Sequence, residues 1–180
     1  MSCEALESIV KSCDNNSGGI YKVWINQQDN IDEISLDNTL TWTIDSITLT
    51  DPANIYTEFE IRRNTGSYTE EAAIDLVNGS SYYTQTITLM FHRRDQSKSQ
   101  AIKVLGAGQQ YLNAIVQDAN GKYWYFPYLQ LTGSSEGSGT ARADGSKYQI
   151  ILTAENEFLS YEVLESAVTA VITPPPPPTP

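Results

Sequence analysis

The sequence predicts a mainly β domain with one internal α-helix and several hairpins. Three observations predict it. Charged residues are only 18 % of the chain, below the usual quarter, while Thr, Ile and Tyr are plentiful; such side chains suit a half-buried pleated surface. Residues 82–93 alternate strictly, with Tyr83, Gln85, Ile87, Leu89 and Phe91 on one face and Thr84, Thr86, Thr88 and Met90 on the other. Asn78-Gly79 and Asn120-Gly121 are hairpin turns, since both residue types tolerate positive φ. The 180 residues fit one domain with a core of its own.

The elements follow in order. Residues 1–19 read as an N-terminal arm, in which 4–12 form a short amphipathic helix carrying Leu6, Ile9 and Val10, broken by Asp14 to Gly19. The domain then runs over 20–172. Ile20–Ile25 is its first strand, and the polar, acidic residues 26–38 read as a loop. Residues 40–49 alternate as Leu40, Trp42 and Ile44, then change phase at Asp45-Ser46 before Ile47 and Leu49. That pattern needs one bulged strand or two short ones. Tyr56–Arg63 and Ser67–Val77, joined by Asn64-Thr65-Gly66, read as the two arms of a hairpin; strand Tyr82–Arg93 follows.

The chain's one convincing internal helix comes next, capped by Asp95 or Ser97, with Ala101, Ile102 and Leu105 as its apolar face and Gly106 or Gly108 as its stop. Gln110–Gln117 and Lys122–Phe126 form a second hairpin, whose second arm Pro127 closes. Residues 132–140 read as a Gly/Ser/Thr loop. Strands Tyr148–Thr153 and Tyr161–Leu164 complete the domain. Residues 173–180 are a proline run that cannot join a helix or a central strand, and read as a disordered, polyproline-II-like tail.

Charge and motifs exclude several functions. The net charge is −11, so adhesive nucleic-acid binding, which needs cations against phosphate, is not expected. The acidity is uneven: residues 1–60 hold eleven acids against Lys11 and Lys22, and residues 61–180 hold eleven acids against nine bases. No apolar stretch is long enough for a bilayer, and the N-terminus carries acids where a signal peptide needs bases, so folding in a cytoplasm is expected. Cys3 and Cys13 have neither CxxC spacing nor a histidine nearby and read as reduced thiols. His92 is the single histidine and reads as structural. No nucleophile elbow, phosphate loop, dinucleotide fingerprint or zinc helix motif is present. Asp29 to Glu33 lacks the spacing and glycine of a calcium loop. Trp24, Trp42 and Trp124 fall within predicted strands, which favours core or interface use over a sugar-binding loop. No catalytic, cofactor or metal site is expected.

The run of elements from strand 82–93 through the helix, the second hairpin and strand 148–153 resembles phage tail tube proteins. The resemblance is carried by Tyr83-Thr84-Gln85-Thr86-Ile87-Thr88-Leu89-Met90-Phe91, by Leu105-Gly106, by Ala114-Ile115-Val116-Gln117-Asp118 before Asn120-Gly121-Lys122-Tyr123-Trp124, and by Gly139-Thr140-Ala141 before Tyr148-Gln149-Ile150-Ile151-Leu152-Thr153. It spans about residues 55–155. It implies a β-sandwich or barrel with one flanking α-helix and a long protruding β-hairpin, in a structural virion protein, not an enzyme, whose copies form hexameric rings that stack into a tail tube. It also implies contacts with other tail or head–tail proteins and assembly in the host cytoplasm. Genomic DNA would pass through the lumen without specific binding. The acids of the Tyr56–Val77 hairpin, Glu58, Glu60, Glu70, Glu71 and Asp75, are the candidates to face that DNA. An acidic lumen repels a duplex carrying one charge per ~1.7 Å. The alternatives are another virion β-protein, for capsid decoration or head–tail joining, and a carbohydrate-binding or adhesion module.

Overall fold

The computed structural model describes residues 8–174. Strands β1 (Ile20–Gln27), β2 (Ile31–Leu36), β3 (Thr43–Leu49), β4 (Thr57–Glu58), β7 (Leu112–Asp118), β10 (Tyr161–Val163) and the first half of β8 (Tyr123–Gly137) form one sheet in the order β2-β3-β10-β8-β7-β1-β4. The second half of β8 pairs with β9 (Lys147–Asn156), β9 with β6 (Ser80–His92), and β6 with β5 (Gly66–Asp75). Because β8 belongs to both sheets, the whole is one curled surface, a half-barrel with the mainly β character read from the sequence.

Two cores result, one on each face of the β1-β7-β8 layer. Val23, Ile25, Leu112, Ala114, Val116 and Phe126 point toward the second sheet and meet Ile87, Leu89, Ile150 and Leu152. Trp24, Ile115 and Tyr125 point the other way and meet Ile44, Ile47 and Val163. A strand buried on both faces is apolar at nearly every position, which is why Leu112–Val116 is an unbroken buried run; its one polar member, Asn113, donates to the Gln27 carbonyl at 3.1 Å. The half-buried second sheet keeps a clean alternation.

Helix α1 (Gln96–Leu105) closes one end of the first core with Ile102 and Leu105. Asp95 caps it, accepting from the Lys98 N–H at 2.9 Å. Ala101, expected on its apolar face, is exposed. A second helix, α2 (Glu165–Ile172), was not expected; Ala167, Val168 and Val171 pack it over the second core. Its eight residues, rich in β-branched side chains, carry no period long enough to read.

Several expectations are corrected. Residues 31–36 are a strand, not a loop. Ile31 and Ile34 both pack on the second core despite their odd spacing, because the pairing with β3 shifts register between Ile31 and Glu33. Of the two options for 40–49, one strand forms, and it starts only at Thr43. Leu40 and Trp42 precede it in an exposed turn. Tyr56–Arg63 and Ser67–Val77 do not pair with each other. Only Thr57 and Glu58 are in strand, on β1, while Phe59 and Ile61 turn into the first core. Gly66 is required there: a Cβ would stand 2.8 Å from Ile61 Cδ1 and 3.1 Å from Ile20 Cβ. The long hairpin is instead β5–β6, ten residue pairs from Gly66↔Leu89 to Asp75↔Ser80, turned at Asn78-Gly79 with Gly79 at φ 67°.

Pro127 does not end β8. It lies at a register shift next to Tyr128 (φ 54°), where the strand bends from one sheet into the other and a missing N–H breaks no ladder bond. The strand then continues through Gly137, so residues 132–137 are not a loop. Residues 8–12 carry no helix, and Ile9 and Val10 are exposed. The rest of that expected helix, residues 4–7, and most of the proline tail, 175–180, lie outside the described residues. No helix among the described residues is long and apolar enough to cross a membrane.

Candidate functional site: the β5–β6 sheet face and two apolar patches

The solvent face of the second sheet is built by period two. Register places Thr69, Thr86 and Thr153 in one row, and Ser67, Thr88 and Ile151 in the next. Thr132 joins the first row, its Oγ1 2.8 Å from Thr153 Oγ1. The row toward the hairpin tip is Glu71, Thr84 and Glu155. The far end of the face carries His92 opposite Lys147. Short hydroxyl side chains thus cover the middle of the face, with acids at one end and a cation at the other.

Among the described residues β5 pairs only with β6, so its outer edge offers unpaired N–H and C=O groups along ten residues. Three of the five acids named from the sequence lie on this strand. Glu71 is exposed on the hydroxyl face. Glu70 points inward: its carboxylate accepts from Ser160 N–H at 2.7 Å, Ser160 Oγ at 2.5 Å and Gln85 Nε2 at 3.0 Å. Gln85 is fully buried, and it in turn accepts from Asn156 Nδ2 at 2.7 Å. Glu70 therefore clasps the 156–160 segment to the hairpin base. Asp75 shapes the turn, accepting from the Val77 and Asn78 N–H groups at 2.8 and 3.1 Å and from Asn78 Nδ2 at 2.6 Å. The Asn78 N–H, then the Asn78 side chain and the Val77 N–H, hold its carboxyl below the usual carboxylate value. Glu58 and Glu60 lie elsewhere, exposed at the β4 edge of the first sheet. The five acids do not form one surface.

Two apolar patches escaped the sequence reading. The first is the hairpin tip beyond the core, where Ile74, Leu76 and Val77 are 67, 90 and 93 % exposed. The second surrounds Trp42, which lies outside the strands, contrary to expectation. Its ring is 5.5 Å from Phe158 and 5.7 Å from Tyr161, and Phe158 and Leu159 are half-exposed. Trp42 has φ 62°, a conformation that costs a bulky residue on the order of 1–3 kcal/mol. The sequence carried no signal for it: Leu40, Trp42 and Ile44 alternate as a strand does, and the phase changes only at Asp45-Ser46. Next to this cluster lies a mostly apolar crevice of about 190 Å³ lined by Ile34, Leu36, Ile44, Pro127, Tyr128 and Tyr161, with Gln28 as its one amide. Tyr125 forms its floor. Burial pushes the Tyr125 hydroxyl well above the ordinary tyrosine value, and the hydroxyl has no hydrogen-bond partner among the described residues.

Among the described residues no three His, Cys, Asp or Glu side chains group closely enough to hold a metal ion. His92 is half-buried at the end of β6, its Nδ1 unpartnered, while its carbonyl accepts from Lys98 Nζ at 3.1 Å. Cys13 is exposed and makes no disulfide among the described residues. The sequence matches no family model and no curated protein.

Proposed function

We propose that this chain is a structural subunit that self-associates, and that the assembly is a phage-type tail tube of stacked rings through which DNA passes. The observation that carries the reading is the solvent face of the second sheet beside the open β5 edge. Its middle rows, Thr69-Thr86-Thr153 and Ser67-Thr88-Ile151, contain no cation; Glu71 and Glu155 border them toward the hairpin tip, and the nearest cation on the face, Lys147, stands at the far end. Affinity for duplex DNA comes mainly from Lys and Arg on phosphate. A stretch of hydroxyls bordered on one side by carboxylates offers the duplex water-like contacts and no ion pairs along those rows, so the duplex slides over them. Copies meeting at the β5 edge satisfy its free backbone groups, and ring closure removes the edge altogether. Of the five acids, Glu71 is the one best placed to face such a lumen. Glu70 and Asp75 serve the hairpin's own structure, and Glu58 and Glu60 serve another surface.

The test is negative-stain microscopy of the purified protein at high concentration across a salt series. Rings or tubes with an open channel are expected. Monomers at every salt and concentration would overturn the reading.

A further inference from the structure

The chain displays an apolar knob and a mostly apolar hole, and neither is filled by the described residues. The knob is the hairpin tip. Ladder pairing runs up to Asp75↔Ser80, and Asp75 ties down the Val77 and Asn78 N–H groups, so Leu76 and Val77 are presented on an ordered turn. Little entropy remains to be lost when such a turn binds. Its one charge is already hydrogen-bonded within the turn and needs no partner across a contact. The hole is the crevice beside Trp42. Its volume of about 190 Å³ exceeds the ~150 Å³ of an apolar cavity that takes up benzene, so it has room for a Leu or Val side chain. No charged side chain lines it.

We propose that the hairpin tip of one copy seats in the Trp42-side crevice of the next, with Leu76 or Val77 inserted between Leu36 and Tyr161. This deepens the self-association reading and rests on it. Knob and hole are different surfaces, so the contact is heterologous: every copy gives one tip and accepts another, and it propagates into rings or stacks. The area fits that role and not a free-standing dimer. Three tip residues fall far short of the roughly 20–30 per side of a stable interface, so the contact holds only when repeated or added to others.

Disulfide trapping tests it. Cys3→Ser and Cys13→Ser give a background without native thiols. A Leu76→Cys protein is mixed with a Leu36→Cys protein and oxidised, with Tyr21→Cys, exposed on β1, replacing Leu36→Cys as control. A mixed disulfide dimer is expected only with Leu36→Cys. If sedimentation shows self-association but that crosslink is no stronger than the control, the seat is wrong while self-association stands. Monomers at every concentration overturn both. A second measurement needs no new thiol: Leu76→Asp should weaken self-association at least tenfold without moving the thermal midpoint. An unchanged association constant would overturn the seat. So would glycan binding that Trp42→Ala abolishes, since the patch would then serve a sugar.

Discussion

The β5–β6 hairpin has two halves that share one ladder and differ in everything else. At the base, Tyr68 meets Phe126 edge-on at 5.3 Å, and Glu70 pins Ser160 and Gln85. At the tip, backbone pairing continues unbroken to Asp75↔Ser80, yet Ile74, Leu76 and Val77 face water. Hydrogen bonding alone does not decide where a protein is packed. A ladder extends as far as its turn allows, and the core stops where facing side chains run out. Apolar residues carried past that point add nothing to the folded monomer and expose surface of the kind that marks contact sites.

Substitutions can break or sharpen this contrast. The largest effect is expected at the base: Phe126→Ala removes a fully buried ring under Tyr68 and should cost about 3–5 kcal/mol in urea unfolding. Next is Glu70→Ala. It leaves the Ser160 N–H without its acceptor and the buried Gln85 amide with only the Phe158 carbonyl, for a loss of about 1–3 kcal/mol, and hydrogen exchange should rise selectively over 156–160. Acid should then act through the carboxylates that shape turns and caps. Asp75, Asp95 and Asp144 are all held below 3.8: Asp75 first by the Asn78 N–H, Asp95 first by the Lys98 side chain, Asp144 first by the Ala141 N–H. Below about pH 4 the unfolded chain takes up protons that the native chain refuses. Stability should hold from pH 7 to 5 and fall as pH drops through 3.8, less steeply in Asp95→Asn. The smallest effect is expected at the tip, where Leu76→Ser should change monomer stability by no more than ~0.5 kcal/mol. A loss above ~1 kcal/mol there would mean that the tip packs in the monomer, and the contrast would fail.

Legibility in the sequence followed the same division. The strand 82–93, with its two faces, was readable because the second sheet is wet on one side, so polarity alternates with the pleat. The cap and stop of α1 were readable to within a pair of residues each, Asp95 or Ser97 and Gly106 or Gly108, because they are local chemistry; the structure selects Asp95 and Gly106. The partner of Ser67–Val77 was not, since an alternating segment states its faces and not its neighbour. Phe59 and Ile61 looked like strand residues because they are buried, and only packing shows that they bridge two sheets. The candidate acids illustrate the limit most directly. Spacing put Glu70 and Asp75 among exposed charges, whereas three-dimensional neighbours 85 and 160, and a turn two residues on, took up their oxygens.

By itself, the sequence determined a mainly β domain with a capped helix, two Asn-Gly turns, a hydroxyl-rich strand face and an acidic balance. The charge balance is a sum over the chain; each of the others is set by residues within a few positions of one another, through φ preference, side-chain period or a local hydrogen bond. The tertiary structure alone decided that β8 bends at Pro127-Tyr128 to serve two sheets, and that β5 pairs with β6 and leaves an edge open. It alone brought Trp42 from its turn to Phe158 and Tyr161, more than a hundred residues away. Those outcomes depend on which distant surfaces bury each other, a choice made by the whole core and by no single segment.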